Sequence, residues 1–296
     1  MTAHLIRRVT ILGTGLIGGS FALALRKNLR DIHISGWDRP EVVREPQVRR
    51  AFDETFSGNL GRALEKADLI YIALPIAVTL DILSEIASHA PASALVTDAC
   101  STKQRIMEEA VQHFQGTTDS AIFLGGHPMA GKELSGIAAA EEELFRGHTY
   151  ALIAEGDAIA TPTASEPRIA AFVKILEKIG AQPLWIGAQQ HDYAVGLASH
   201  LPQLTAVALA AFLYDRLDEN GLPITLAGPG LRDTLRLAGS PYSTWRDIVL
   251  TNRELLSASL DLFARRLDDL RERLASRDLE ADFESANELY KLLRSL

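Results

Sequence analysis

The chain has 296 residues, a length that suits two domains better than one. It is 47% hydrophobic and 23% charged, as is usual for a globular protein that buries a full core. The formal net charge of −8 disfavours nucleic acids and anionic membrane surfaces as main partners, because both repel an acidic protein.

The cysteine count and the N-terminus indicate where the protein works. Cys100 is the single cysteine, so no disulfide can form within the chain, and a lone thiol is typical of a reducing compartment. The N-terminal segment 1–8 is short and polar and lacks the apolar stretch of a signal peptide. No apolar run approaches the roughly 20 residues of a membrane span. The sequence therefore predicts a cytoplasmic protein without a membrane partner.

The order of apolar runs predicts the fold. Short apolar runs lie at 9–12, 32–37, 69–74, 94–97, 122–124, 150–153 and 183–186. Helical patterns separate them, and nearly continuous apolar strands between helices indicate a parallel sheet covered on both faces. Residues 158–166 are predicted to form a loop, and a helix over 168–179 is predicted to end at Gly180.

After residue 187 the pattern becomes helical. The sequence predicts a helix over 191–217 with a kink at Pro202, one long helix over 245–275 and a last helix over 279–293. In the long helix, apolar residues recur at spacings of four, three, four, three and four. These residues are Leu256, Leu260, Phe263, Leu267, Leu270 and Leu274. Such a heptad seam packs either on its own domain or against another helix of an assembly.

A glycine-rich motif indicates a dinucleotide site. The segment 13–18 reads G-T-G-L-I-G, follows the first predicted strand and opens a predicted helix, which is the context that this motif requires. Gly13 permits the tight turn, Gly15 lets a pyrophosphate approach the backbone, and Gly18 lets the helix and strand pack closely. Leu16 and Ile17 begin the helix, whose N-terminal amides and dipole favour phosphate.

An acidic residue at the end of the second predicted strand favours NAD. Asp38 lies 20 residues after Gly18, the spacing of the carboxylate that binds the adenosine ribose diol. This carboxylate would repel a 2′-phosphate, whereas the adjacent Arg39 could bind one. Leu74 and Pro75 follow the third apolar run, at the strand edge where such sheets bind ligands, although Pro75 alone could simply end the strand.

Polar groups that suit chemistry follow later elements. Ser101 and His127 lie after apolar runs and are expected to face the nicotinamide end of the cofactor. Ser101 could instead cap a helix beginning at Thr102, His127 could be a structural hydrogen-bonding residue, and Cys100 could be a buried small residue. Arg236, by itself, could be a surface cation.

Taken together, these segments resemble the prephenate/arogenate dehydrogenase family of tyrosine biosynthesis. The matching segments are 13–18, 98–103, 127–131 (HPMAG), 136–145, 199–202 (SHLP) and 236–248, in the order of the family and over almost the whole chain. The resemblance implies a Rossmann-like domain at 1–187 that binds NAD, an all-helical domain at 188–296 that forms a homodimer through the heptad seam, and an active site in the cleft between the two domains.

The resemblance also implies the chemistry. NAD takes a hydride from C4 of a cyclohexadiene, the C4 hydroxyl loses its proton, and the ring carboxylate leaves as carbon dioxide. His127 then accepts the hydroxyl proton, Ser101 orients the hydroxyl and His127, His200 is a second substrate-site histidine, and Arg236 binds a substrate carboxylate.

Two departures from the family pattern bear on substrate choice. Gln203 stands where many members have a histidine, and Cys100 where a glycine is common. His200 and Gln203 are expected to contact the substrate side chain. Since neither is acidic, the keto acid prephenate is favoured over the amino acid arogenate. The Gln203 amide can donate to the ketone oxygen, although its carbonyl could also accept from an ammonium. The alternative is an arogenate dehydrogenase or a dual-specificity cyclohexadienyl dehydrogenase. Two other readings are a related β-hydroxyacid or imine reductase and a non-catalytic NAD sensor.

Overall fold

A six-stranded parallel sheet forms the centre of the N-terminal half. The computed structural model describes residues 6–114, 120–132, 134–153, 166–217, 221–275 and 278–295. The strands are β1 (Arg8–Leu12), β2 (His33–Trp37), β3 (Glu54–Phe56), β4 (Leu69–Ile72), β5 (Leu95–Asp98) and β6 (Ile122–Leu124). Their order is β3-β2-β1-β4-β5-β6, with every pair parallel. The predicted Rossmann-like class is therefore confirmed.

Helices cover both faces of this sheet, as the continuous apolar runs predict. They are α1 (Leu16–Asn28), α2 (Pro46–Ala51), α3 (Leu60–Leu64), α4 (Ile76–His89), α5 (Gln104–His113) and α6 (Pro167–Lys178). In β4, Leu69 and Tyr71 pack into the core on one face, while Ile70 and Ile72 pack into the core on the other. Alternate strand residues thus supply two separate cores.

The last two predicted strands belong to a second sheet, which the sequence analysis did not foresee. β7 (Gly126–Pro128), β8 (Thr149–Ile153) and β9 (Gln182–Ile186) form it in that order, with β7 antiparallel to β8 and β8 parallel to β9. β3 (E-T-F) and β7 (G-H-P) were missed because neither is an apolar run, unlike β6 (I-F-L), which has the same length and was predicted. Gly180, at φ +84°, follows α6 as predicted. Most of the predicted loop, 158–165, lies outside the described residues.

After β9 the described residues hold helices only. These are α7 (Ala188–Val195), a π-helical turn (Gly196–His200), α8 (Leu201–Tyr214), α9 (Leu222–Thr225), α10 (Pro229–Leu235), a 3₁₀ turn (Arg236–Gly239), α11 (Tyr242–Thr251), α12 (Arg253–Glu272) and α13 (Glu280–Arg294). The π turn immediately precedes the first turn of α8, which contains Pro202, the residue where the sequence predicts a kink. Such turns occur often at functional sites.

The single helix predicted over 245–275 is wrong. Asn252 lies between α11 and α12 with φ −116° and ψ 23°, outside the helical region. Its side-chain amide donates to the Asp192 carbonyl at 3.0 Å, a tertiary contact that leucine spacing cannot reveal.

The helical stretch Ala188–Tyr214 is long and apolar enough, by length and composition alone, to cross a membrane. The sequence analysis predicted no such run. Polar side chains of the stretch are nevertheless buried inside the protein, where Asp192 bonds to the backbone of α5. One such helix is weak evidence for a membrane span, because a helix of a globular protein passes the same test.

Two aspartates of the helical half cap helices of the sheet domain. The Asp192 carboxylate accepts from the backbone N–H of Lys103 at 2.7 Å and of Gln104 at 2.9 Å, at the start of α5. The Asp247 carboxylate accepts from the Ala77 N–H at 3.1 Å, at the start of α4. Each carboxylate meets the positive end of a helix dipole, so the contacts join the two halves beside the ends of β4 and β5.

Candidate active site

The glycine-rich turn lies at the point where the strand order reverses. Gly13 has φ +91°, and a Cβ there would stand 2.3 Å from the Ala73 carbonyl oxygen and 3.1 Å from a Leu74 methyl group. A Cβ on Gly18 would stand 1.9 Å from the Gly13 carbonyl oxygen. The turn is therefore wedged between β1 and the segment after β4, which is where open parallel sheets bind their ligands.

The start of α1 is open to a ligand. A Cβ on Gly15 would meet no atom of the chain within 4 Å, and no side chain caps the helix at this residue. Gly15, Leu16 and Ile17 are partly exposed. The first-turn amides can therefore bind a pyrophosphate, so these residues fit a dinucleotide. Pro75 is the N-cap residue of α4 and follows Leu74, whose side chain lies close to Gly13.

Asp38 is tied to the glycine-rich turn. Its Oδ2 accepts from the Thr14 backbone N–H at 2.7 Å and from the Thr14 hydroxyl at 3.1 Å, and its Oδ1 accepts from the Arg39 N–H at 2.8 Å. The carboxylate is held at the end of β2 and keeps lone pairs for a diol. The Arg39 guanidinium points into solvent and lies 3.5 Å from Glu41.

A buried ion pair holds the backbone before His127. Lys103 and Asp98 are fully buried, and the Lys103 ammonium bonds to the Asp98 carboxylate and to the Gly126 carbonyl at 2.6 Å. Asp98 also accepts from the Gly126 N–H at 3.1 Å and from the Cys100 N–H at 2.9 Å. Both polar groups of Gly126 are thus fixed. A Cβ there would stand 2.7 Å from the Asp98 carbonyl oxygen.

His127 lies within β7 rather than after a strand. Its Nδ1 is 2.9 Å from Nε2 of His191, and His191 Nδ1 is 2.8 Å from Oδ1 of Asp192. His191 and Asp192 are almost fully buried, whereas His127 is partly exposed. The three side chains form one hydrogen-bonded row that runs from the helical half to the end of the sheet domain.

His200 lies close to the same row. Its ring packs edge-on against Trp245 with centroids 5.7 Å apart. The Asn252 amide N–H lies 3.2 Å from Nδ1 of His200. The bond to the Asp192 carbonyl requires that this atom of Asn252 is the amide nitrogen, so it also donates to Nδ1 of His200. Neutral His200 then carries its proton on Nε2, where it can donate to a ligand.

Burial sets the charge of both histidines. Desolvation lowers the pKa of His127 well below its usual range, and nearby His191, Lys103 and His200 lower it further. Desolvation lowers the pKa of His200 to about 4, against an opposing contribution from Asp192. Both imidazoles are therefore neutral at pH 7 and can accept as well as donate a proton.

Gln203 and Arg236 belong to adjoining segments. Gln203 is buried, and its amide donates to the Leu237 carbonyl at 2.9 Å, so α8 holds the 3₁₀ turn that begins at Arg236. One amide proton of Gln203, which the sequence analysis assigned to substrate, is thus bonded within the chain. Arg236 is exposed in the single chain, not buried.

Ser101 is partly buried in the turn after β5, three residues beyond Asp98. It does not cap a helix at Thr102, since α5 begins at Gln104 and is capped by Asp192. Cys100 is buried against Thr79, with its Sγ 3.5 Å from the hydroxyl, and burial raises the pKa of its thiol. It is an inert packing residue.

Sequence reasoning missed four of the groups that build this site, namely Lys103 as an ion-pair partner, His191, Asp192 and Asn252. The adjacent His191 and Asp192 at a helix start were the one local signal available. Within the described residues, no group of three or more His, Cys, Asp or Glu side chains is arranged to hold a metal ion.

Two family models match the chain in succession. Residues 21–184 match the prephenate dehydrogenase nucleotide-binding domain, and residues 187–294 match the prephenate dehydrogenase dimerization domain. The first match begins within α1, after the glycine-rich turn.

Relatives and solved structures agree with these matches. The chain is 34% identical to a prephenate dehydrogenase of Lactococcus lactis, over 93% of this chain and 73% of that protein. It is similar to the crystal structure of prephenate dehydrogenase from A. aeolicus in complex with hydroxyphenyl propionate and NAD+, with a TM-score of 0.84, 27% identity and 99% of each chain covered. It is also similar to Synechocystis arogenate dehydrogenase, with a TM-score of 0.71, 30% identity, and 97% of this chain and 96% of that chain covered.

Proposed function

Because the chain belongs to the prephenate dehydrogenase family, we propose that it catalyses the NAD-dependent oxidative decarboxylation of prephenate to 4-hydroxyphenylpyruvate in tyrosine biosynthesis. The proposal is supported by a partly exposed His127 that follows a backbone fixed by Lys103 and Asp98, with its pKa lowered by burial, and by an open glycine-rich turn that fits a dinucleotide. A rigid acceptor at that position suits the removal of a hydroxyl proton during oxidation.

The residues divide the work as follows. Bound NAD supplies the hydride acceptor. His127 takes the proton of the C4 hydroxyl, and Ser101 orients that hydroxyl. His200, as an N–H donor, faces a substrate oxygen, and Arg236 pairs with a substrate carboxylate. Loss of carbon dioxide makes the ring aromatic, so the overall reaction runs strongly downhill.

NAD is proposed as the cofactor in preference to NADP. Gly13, Gly15 and Gly18 leave room for the pyrophosphate, and the Asp38 carboxylate stands where a ribose diol would lie. Kinetics with the two cofactors measure the preference, and Asp38→Ser should narrow it. Equal kcat/KM for both cofactors in the unaltered protein would show that Arg39 offsets the carboxylate.

Prephenate is proposed as the preferred substrate over arogenate. The two differ in the side chain, a keto acid in one and an amino acid in the other, so discrimination depends on an acceptor for the ammonium. In the structure the amide of Gln203 donates to Leu237, and His200 is neutral. Neither Gln203 nor His200 is a carboxylate that could pair with the ammonium of arogenate. Dual specificity is the second candidate, because the chain is similar to proteins named for either substrate.

The decisive experiment is to incubate the protein with NAD and each substrate and to follow NADH by absorbance. Prephenate should give NADH and carbon dioxide in equal amounts. A tenfold preference for arogenate, about 1.4 kcal/mol in transition-state binding, would reverse the assignment of substrate. Activity with neither would leave the non-catalytic NAD sensor as the better reading.

A homodimer that forms through the helical half is also proposed. The proposed domains are residues 1–187 and 188–296, and the proposed location is the cytoplasm. On the single chain Leu256 of the heptad seam is buried, whereas Leu260, Leu267 and Leu274 are 37%, 52% and 70% exposed. A second copy would cover these side chains. Sedimentation should give a dimer, and changing Leu260, Phe263 and Leu267 to Asp should dissociate it. A stable wild-type monomer at micromolar concentration would disprove the interface.

A further inference from the structure

We propose that His191 and Asp192 form a positioning relay that fixes which ring nitrogen of His127 carries its proton. The proposal rests on the proposed function, in which His127 is the proton acceptor. It concerns two residues that follow β9, outside every motif that the sequence analysis singled out.

Asp192 is the fixed end of the relay. Its Oδ1 accepts from the Lys103 N–H, and its Oδ2 accepts from the Gln104 N–H. Both of these partners can only donate, so both oxygens of the carboxyl group act as acceptors. The same Oδ1 lies 2.8 Å from Nδ1 of His191. His191 Nδ1 must therefore carry a proton and donate it.

The proton on His191 Nδ1 decides the state of the next ring. A neutral imidazole has one N–H and one lone pair, so His191 Nε2 is an acceptor. It lies 2.9 Å from His127 Nδ1, which must then be the donor. By the same rule the lone pair of neutral His127 is on Nε2. That nitrogen faces away from the relay and is free to accept the substrate proton.

The reversed chain through a neutral His191 is excluded by the contact with Asp192. If His191 Nε2 donated to His127, neutral His191 would turn a bare Nδ1 toward the Asp192 oxygen at 2.8 Å, and two acceptors would face each other. The alternative is a protonated His191 that donates both ways, which would put the proton of His127 on Nε2 and block it as an acceptor. The two states differ in which ring nitrogen of His127 carries the proton, Nδ1 or Nε2.

Burial makes the relay stiff. His191 and Asp192 are only 2% and 1% exposed, and the Asp192 carbonyl is bonded to Asn252. When His127 takes up a proton at Nε2, the positive charge is stabilised through His191 by the Asp192 carboxylate. The relay therefore supplies a preorganised acceptor and a counter-charge without moving any heavy atom.

The direct test is histidine NMR. The wild-type protein with ¹⁵N-labelled histidine is studied at pH 7, and the His127 signals are assigned by their loss in His127→Asn. The proposal predicts that His127 carries its proton on Nδ1 and that Nε2 is bare. A proton on Nε2 would overturn it, whatever the activity of the enzyme, so this result is separate from a failure of the proposed substrate.

Paired variants test the consequence for turnover. His191→Leu removes the acceptor and should lower kcat by about 10²–10⁴-fold, with KM values for prephenate and NAD nearly unchanged. His191→Gln places an oxygen near the former Nε2 and should recover most of the loss, to within about tenfold of wild type.

His113→Leu is the matched control, because His113 also pairs with a carboxylate, at 2.9 Å from Glu109, but lies on α5 away from the site. It should leave kcat unchanged. Full turnover in a folded His191→Leu protein would refute the relay, as would equal losses in the Leu and Gln variants. If His191→Leu does not fold, the tautomer of the wild-type His127 still decides.

Discussion

The ion pair between Asp98 and Lys103 fixes the backbone before His127, the proposed proton acceptor, and it offers a test of how the site is held. Asp98→Asn replaces one carboxylate oxygen with an NH₂ group. Because Oδ1 accepts from the Gly126 N–H and Oδ2 from the Cys100 N–H and the Lys103 ammonium, either orientation of the new amide turns a donor toward a donor. The ammonium also keeps its charge in a fully buried position.

Breaking a buried pair from one side costs about 3–5 kcal/mol of the free energy of unfolding. For a chain of 296 residues this corresponds to a fall in Tm of about 5–8 °C. Lys103→Met should cost less, since the carboxylate keeps two backbone N–H donors. The double variant should be more stable than the sum of the two single losses, because no unpaired charge remains.

The assay is thermal unfolding at one fixed protein concentration, followed by steady-state kinetics on the folded variants. Because both polar groups of Gly126 are bonded to this pair, kcat should fall together with stability, as His127 loses its fixed backbone. A loss below about 1 kcal/mol for Asp98→Asn would refute the reasoning, since such a value belongs to a solvated surface pair.

Four further outcomes are expected. His127→Asn should fold normally and lose about 10²–10⁴-fold in kcat, and near wild-type turnover would remove His127 from the mechanism. In the unaltered enzyme, kcat/KM should stay constant as the pH falls to about 6.5, the ordinary histidine pKa, because the pKa of His127 is lowered. The decrease in kcat/KM should begin only at lower pH, and a decrease with its midpoint at about 6.5 would contradict this. Arg236→Gln should raise the KM for prephenate by about 10- to 100-fold, because one charged hydrogen bond to the substrate is lost, and should leave the Kd for NAD unchanged. An unchanged KM would mean that another cation binds the substrate carboxylate. The free energy of unfolding should fall as the pH drops from about 6.5 to about 4, because across that window His200 binds a proton in the unfolded chain but not in the folded one; a flat urea-unfolding midpoint over this range would disprove it.

The fold of the sheet domain follows largely from the sequence, because its signals are local. The G-T-G-L-I-G turn, the strand before it and Asp38 at the end of the next strand lie within one βαβ unit, and each carries its own spacing. Strands β3 and β7 escaped prediction because their three residues do not form an apolar run, whereas those of β6 do. Their pairing depends on neighbours elsewhere in the chain.

The candidate site was predictable only in part. His127 and Ser101 stand beside recognisable strand ends, but the groups that hold them come from far along the chain. Asp192 caps a helix that begins at Gln104, 88 residues away, and Asn252 reaches back 60 residues to the Asp192 carbonyl. The same contact bears on the failed prediction of one long helix, because it involves Asn252, whose backbone lies outside the helical region between α11 and α12.

The two aspartate caps also bear on motion. Asp192 stabilises the start of α5 and at the same time anchors His191, so the two halves cannot separate there without disconnecting the row that leads to His127. If His127 has the proposed role, separation of the two halves at this contact should also disturb the catalytic alignment, and a partly open enzyme should be inactive. The backbone amides of Ala77 and Gln104, which donate to Asp247 and Asp192, would report the frequency of that opening by hydrogen–deuterium exchange.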